Sequence, residues 1–160
     1  MWIKLNSDGL KVELKIEKYI PNQTIDGEWT SVSFNFEFQD IIKYTKNDSE
    51  LILCSEVDDL ISYMENLLEN KLTQKEEYGC IEPDFLFVFN PKKLNPPIDA
   101  SMELKINLWH GGLTCNYFST TFGIEEIEQL YLYFLLISNK ISKNDERILT
   151  LIKSGVIYEN

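Results

Sequence analysis

A pair of glycines set between two alternating runs is the feature that most limits what this chain can become. Residues 102–119 read Met-Glu-Leu-Lys-Ile-Asn-Leu-Trp-His-Gly-Gly-Leu-Thr-Cys-Asn-Tyr-Phe-Ser. Met102, Leu104, Ile106 and Leu108 alternate with Glu103, Lys105, Asn107 and Trp109, so one face of a strand enters a core and the other is mostly wet. Gly111-Gly112 suits a two-residue type I′ turn, which needs positive φ at both central positions. That turn pairs His110 with Leu113, Leu108 with Cys115 and Ile106 with Tyr117, and keeps the apolar set on one face. Upstream, residues 85–89 are apolar at every position, as in a strand covered on both faces. A loop carrying Pro91, Pro96 and Pro97 joins the two runs. Residues 78–119 therefore predict three consecutive antiparallel strands.

The remainder is built to pack on such a sheet. Leu10, Val12, Leu14 and Ile16 alternate with charged residues, and Val32, Phe34, Phe36 and Phe38 alternate with polar ones. Asp26-Gly27 reads as the hairpin turn between them. A strict two-residue loop there pairs even positions with odd ones and splits the two core sets between faces. A bulge or an odd-length loop must correct this, and Pro21, with no N–H to donate, is the natural bulge site. Trp29 then lies by a distorted rim.

Residues 41–49 read as a polar connection, and residues 51–54 as a short strand or lead-in. Ser55 is placed to cap a helix in which Val57, Leu60, Ile61, Met64, Leu67, Leu68 and Leu72 share a face. A second helix starts near Ile124, and a third spans about 144–154, stopped by Gly155. The expected fold is α+β. It has a mainly antiparallel, strongly twisted sheet of about five or six strands, a central inserted helix and C-terminal helices packed on the sheet. The expected organisation is a single domain over residues 1–160.

Charge narrows the function classes. The chain carries a net charge of −11, which repels nucleic acid and anionic membrane and favours plain solubility or a basic protein partner. Residues 48–84 hold eleven acids against two lysines, a net −9. Glu56, Asp58 and Asp59 in the first helical turn complement the macrodipole, so helix stability and solvation account for much of this enrichment. Cys54, Cys80 and Cys115 form no C-x-x-C, and one histidine cannot complete a conventional zinc site with them. All three read as buried free thiols in a reducing cytosol. With no basic-then-apolar leader and no run of about eighteen apolar residues, the expected location is cytoplasmic. No cofactor motif is present.

Two groups of residues could carry function. Asp26, Glu28, Trp29, Glu82, Pro83 and Asp84 sit at the beginnings of strands, each segment placing carboxylates beside an aromatic or apolar anchor. Gathered at one sheet edge, they would dock arginine and lysine from a basic partner. The competing reading makes Asp26 and Glu28 turn residues, Trp29 core, and Glu82 and Asp84 caps for nearby backbone. The same acids could be read as a glycosidase pair, but nothing in the sequence selects two of them. His110, the lone histidine, has no G-x-S-x-G elbow and no motif-placed nucleophile, so it reads as a turn residue. Trp109 projects from the face opposite Leu108, either as a contact surface or as part of a second core.

Certain segments, taken in order, resemble the WapI-type bacterial immunity proteins. They are Tyr19-Ile20-Pro21, Asp26-Gly-Glu-Trp-Thr-Ser-Val32, Cys54-Ser-Glu-Val-Asp-Asp-Leu60, Ile81-Glu-Pro-Asp-Phe-Leu-Phe87 and Leu108-Trp109. The resemblance covers about residues 8–140 and leaves the tail from residue 144 without a counterpart. It implies an acidic cytosolic binding protein, not an enzyme, that neutralises a cognate nuclease toxin. It also implies that Asp26, Glu28, Trp29, Glu82 and Asp84 match family-like positions. The alternatives are a protein-interaction or homodimeric scaffold domain and, less favoured, a carboxylate-based hydrolase.

Overall fold

Alternating apolar residues commit most of this chain to strands, and the computed structural model shows how those strands are shared out. It describes residues 1–7, 9–21, 28–94, 96–110 and 112–159. In chain order the elements are β1 (Trp2–Ser7), β2 (Leu10–Glu17), β3 (Ser31–Phe38), β4 (Ile42–Ser49), α1 (Cys54–Leu68), β5 (Glu76–Gly79), β6 (Phe85–Asn90), β7 (Lys93–Leu94), β8 (Pro97–Ile98), β9 (Ser101–Trp109), β10 (Leu113–Phe122), α2 (Ile124–Ile137), α3 (Glu146–Lys153) and β11 (Ile157–Tyr158). The class is α+β with antiparallel pairing, as expected. One sheet has the order β11-β1-β2-β3-β4 and the other β10-β9-β6-β5, and β7 and β8 form a small ribbon.

The apolar faces of the two sheets meet. Phe36 of β3 stacks on Phe118 of β10 with centroids 4.5 Å apart, and Phe34 meets Phe85 edge-on at 5.2 Å. Helix α1 covers the β6 side, with Tyr63 stacked on Phe89 at 5.2 Å. Helix α2 is fastened by the phenol of Tyr133, which accepts the Ile16 N–H at 2.9 Å and donates to the Met1 carbonyl at 3.1 Å. None of the described helices is long and apolar enough to cross a membrane.

Several sequence expectations change. β2 and β3 pair Leu10 with Phe38, Val12 with Phe36 and Ile16 with Val32, in an unbroken ladder that ends at Glu17 and Ser31. Even positions meet even positions because the connection, residues 18–30, is of odd length, one of the two corrections expected, and the ladder needs no bulge at Pro21. Asp26-Gly27 lies outside the described residues. The actual irregularity falls between Val32 and Phe34 in the β3–β4 pairing.

Residues 42–49, expected as a connection, are the edge strand β4. An edge strand buries little, so its sequence need not look apolar. The turn before it uses left-handed backbone at Gln39 and Asp40, φ 46° and 58°. Likewise β5 precedes the three expected strands as a short polar edge.

The β9–β10 register also differs. Ile106 faces Phe118 instead of Tyr117, and Trp109 faces Leu113, with a shift between Leu113 and Tyr117. A bulge absorbs the difference: the Thr114 hydroxyl donates to the Leu108 carbonyl at 2.7 Å and accepts the Asn116 N–H at 3.1 Å. Phe118, Thr120 and Phe122 thereby turn toward Ile106, Leu104 and Met102, and Cys115 turns outward. Cys54 and Cys80 are buried as expected, and Cys115 is exposed.

Helix α3 begins at the Asp145 cap, whose carboxylate accepts the Arg147 N–H at 2.9 Å. It ends in a Schellman turn: Val156 N–H bonds to Leu151 and Gly155 N–H to Ile152, with Gly155 at φ 76°. The tail then adds β11 to β1, pairing Tyr158 with Trp2 and Ile157 with Ile3.

Candidate partner-binding site

The start of α1 is where the acidic candidates gather. An α-helix leaves its first N–H groups without intrahelical partners. Here Leu53, not Ser55, occupies the cap position, and an apolar side chain cannot accept those donors. Glu56 supplies the acceptor. One carboxylate oxygen takes the Leu53 N–H at 2.8 Å, and the other takes the Ile81 N–H at 2.6 Å. Glu56 is only 4% exposed, and burial raises its pKa against the opposing pull of the two backbone donors. Neighbouring Asp59 and Glu82 push it in the same direction as burial. One side chain thus joins the helix start to the loop that carries Glu82, Pro83 and Asp84.

The segment with Glu28 and Trp29 lies against the same helix start. Trp29 bridges to Leu53, the Glu28 carbonyl accepts the Cys54 N–H at 3.0 Å, and Thr30 N–H bonds to the Ile52 carbonyl at 3.0 Å. Glu28 is exposed, and Trp29 and Glu82 are half-buried. These three expected residues therefore share one region, with Glu56 at its centre. Asp26 lies outside the described residues.

Asp84 and Trp109 belong to an adjoining cluster. Asp84 is 1% exposed, and its carboxylate is paired with the Lys46 ammonium reaching across from β4 in the other sheet. The same ammonium sits 5.0 Å from the Trp109 ring centroid, a cation–π contact. The Trp109 backbone N–H donates to the Tyr44 hydroxyl at 3.4 Å. The Asp84 carbonyl accepts the Asn107 N–H at 2.9 Å, and the Asn107 amide bonds to the Pro83 carbonyl. Trp109 is half-buried, with its indole N–H buried and meeting no partner among the described residues. Lys46 had no place in the sequence reading, because it sits in a stretch read as a polar connection.

Tyrosines were the second omission. The outer side of α1 presents Asp58, Asp59 and Glu65, and each accepts a phenol from a different element. Tyr19 donates to Asp58 at 3.0 Å, Tyr78 to Asp59 at 2.9 Å and Tyr131 to Glu65 at 3.4 Å. Lys140 adds an ion pair to Asp58 at 2.7 Å. Burial and the facing carboxylate push the Tyr19 phenol up to about 12 and raise Tyr78 and Tyr131 as well. The phenols hold the carboxylates in place without neutralising them. A tyrosine at no fixed spacing from its acid leaves no linear signal, so only the folded chain could reveal these pairs.

The arrangement suits recognition of cationic groups: ordered carboxylates, two half-buried tryptophans and an aromatic fringe. His110 is exposed beside its turn. Fold and composition together describe an acidic α+β protein. More particularly, the chain belongs to the immunity protein WapI-like family, whose model matches residues 3–133. The matched span ends within α2 and excludes α3 and β11, the tail for which the resemblance offered no counterpart. Membership implies an immunity-type function, binding a toxin partner, and suggests a non-enzymatic role. No curated protein matches this chain.

Proposed function

We propose that this protein, acting as one domain in the cytoplasm of the cell that makes it, neutralises a cognate nuclease toxin by binding it. The contact surface is the acidic region at the start of α1. Glu28, Trp29 and Glu82 face the partner there, and Asp26, two positions before Glu28 in the sequence, is a further contact. Asp84 orders Lys46, and through it Trp109 at the margin.

The observation that supports this most is the concentration of charge. Of the net −11, residues 48–84 carry −9, and within them α1 holds Glu56, Asp58, Asp59 and Glu65 with no basic residue. A nuclease must present a cationic cleft to its phosphodiester substrate, so an anionic inhibitor is steered to it at long range. Steering of this kind raises association rates and is lost as salt rises.

The test is co-expression with the toxin encoded beside this protein, followed by stopped-flow association of the purified pair. The double reversal Glu28→Lys/Glu82→Lys should slow association by about tenfold at low salt and flatten its salt dependence. A parent protein that neither binds nor protects against that toxin would end the proposal.

A further inference from the structure

Asp84 is a buried carboxylate whose acceptor capacity is only partly used. It is 1% exposed, and among the described residues only its Oδ1 meets a donor, the Lys46 ammonium. An ionised carboxylate has about four acceptor positions, and burial makes an unused one costly. Backbone contacts fix where it sits. The Asp84 carbonyl accepts the Asn107 N–H at 2.9 Å, the Asn107 amide bonds to the Pro83 carbonyl, and the Cys80 N–H closes the loop on the Phe85 carbonyl at 3.3 Å. Trp109 stands two positions beyond Asn107 on the same face of β9, with its ring centroid 5.0 Å from the ammonium.

The lysine is held less firmly than the site it fills. Lys46 belongs to β4, which ends its sheet and has a ladder on one side only among the described residues. The β3–β4 register breaks directly after it, between the Phe34–Lys46 and Val32–Ser49 pairs, with Asp48 left-handed at φ 47°. Its side chain is 22% exposed, so the ammonium enters from the solvent side. The nearest charges along the two segments, Glu82 before Asp84 and Asp48 after Lys46, are both anionic, and Asp48 is engaged with the Ser33 hydroxyl. An ammonium is a compact point charge on a flexible stem, and this one touches a single carboxylate oxygen. A guanidinium is a planar fork that bonds both oxygens of a carboxylate and stacks flat on an indole.

We infer that Asp84 and Trp109 form a guanidinium site that Lys46 fills in the free protein, and that an arginine of the partner displaces Lys46 when the complex forms. This deepens the proposed function and rests on it for the partner. Asp84 shares a loop with Glu82, so an arginine steered to the acidic surface arrives beside the site, and the contacts around it hold it there at high effective concentration. Lys46 then swings back to water from the open edge of its sheet. Ejecting it costs part of the binding free energy, so the strength of the internal occupant sets the affinity for the external one.

Two small probes, n-propylguanidinium and n-butylammonium, are titrated into the Lys46→Ala protein. Binding is read from the Trp109 indole N–H resonance and from Tm. Propylguanidinium should bind several-fold more tightly than butylammonium and raise Tm, and adding Asp84→Asn should abolish both effects. Affinity for the toxin encoded beside this protein is then compared between forms. Lys46→Ala, with no occupant to eject, should bind about tenfold more tightly than the parent. Lys46→Arg, with a better internal occupant, should keep the parent's Tm and bind about tenfold more weakly. A lysine with a purely structural role predicts weaker binding by Lys46→Ala and no change with Lys46→Arg. Lys46→Arg keeps a cation on Asp84, so its result stands even if Lys46→Ala does not fold. Three results would each overturn the inference: propylguanidinium binding that is no tighter than butylammonium or survives Asp84→Asn, toxin affinity that Lys46→Ala fails to raise, or toxin affinity that Lys46→Arg leaves unchanged. A parent that binds no toxin would end the proposed function and the exchange with it, whereas the propylguanidinium titration would still uphold or overturn the site.

Discussion

Replacing Glu56 by glutamine tests whether one buried carboxylate holds the acidic surface together. The side chain is 4% exposed and accepts two backbone N–H groups, from Leu53 and Ile81. Glutamine keeps one acceptor oxygen and turns an NH2 group toward the other donor, so one buried N–H is orphaned. A hydrogen bond to a charged group contributes about 1.5–3 kcal/mol. Part of this loss is offset because the neutral amide escapes the desolvation cost of a buried carboxylate. A net destabilisation of about 2 kcal/mol at neutral pH follows, which lowers a urea midpoint by about 1 M if the slope is about 2 kcal/mol per M.

The pH dependence carries a definite sign. Burial raises the pKa of folded Glu56 above its ordinary 4.5, so the folded state holds the proton more tightly than the unfolded one. The stability from this group is present in full below 4.5 and declines as pH climbs through the raised folded value. Glutamine removes that decline, so the gap between parent and variant is widest in acid and narrows across this window. Urea titrations at several pH values, with amide exchange read at Leu53 and Ile81, measure both effects. A variant within about 0.5 kcal/mol of the parent at every pH, with unchanged exchange at Ile81, would refute the bridging role.

The other predictions concern the neighbouring cluster and the thiols. Lys46→Met leaves the Asp84 carboxylate buried without its cation and should cost about 3 kcal/mol, with a shift in Trp109 fluorescence. Adding Asp84→Leu should recover most of that loss, and a double variant no better than the single would show that the ion pair is not the cause. An aromatic disulfide reagent should label Cys115 at once in the native protein. Cys54 and Cys80 should react only on unfolding, because both are buried and burial also raises the Cys80 thiol. Fast labelling of more than a single thiol per chain would contradict the burial pattern.

How much was legible differs between elements. The strands with a wet face and a dry face, β2, β3 and β9, could be read directly because alternation is written into the residues themselves. β4 and β5 could not, because edge strands bury too little to need apolar residues. The β9–β10 pairing was off by one because Gly111-Gly112 is compatible with a two-residue turn, while a threonine-bonded bulge at residues 114–116 actually sets the register. Of the candidate residues read from the sequence, the segments carrying Glu28, Trp29 and Glu82 lie about the start of α1. Glu56 was read only as a charge favourable to the helix dipole, and its reach to Ile81 depends on a loop 25 residues along the chain.

By itself the sequence determined the periodicities, the surplus of negative charge and its crowding into residues 48–84, since these belong to the order of residues and survive any fold. It also carried the family. Only the tertiary structure decided which carboxylates stand free and which are consumed. Asp84 is taken by Lys46 from the opposite sheet, and Glu56 by two backbone donors. It also decided that β10 ends its sheet, with no further strand paired to it among the described residues. Hydrogen-bond and charge partners distant in sequence are chosen by how strands and helices pack, and linear spacing holds no record of that choice.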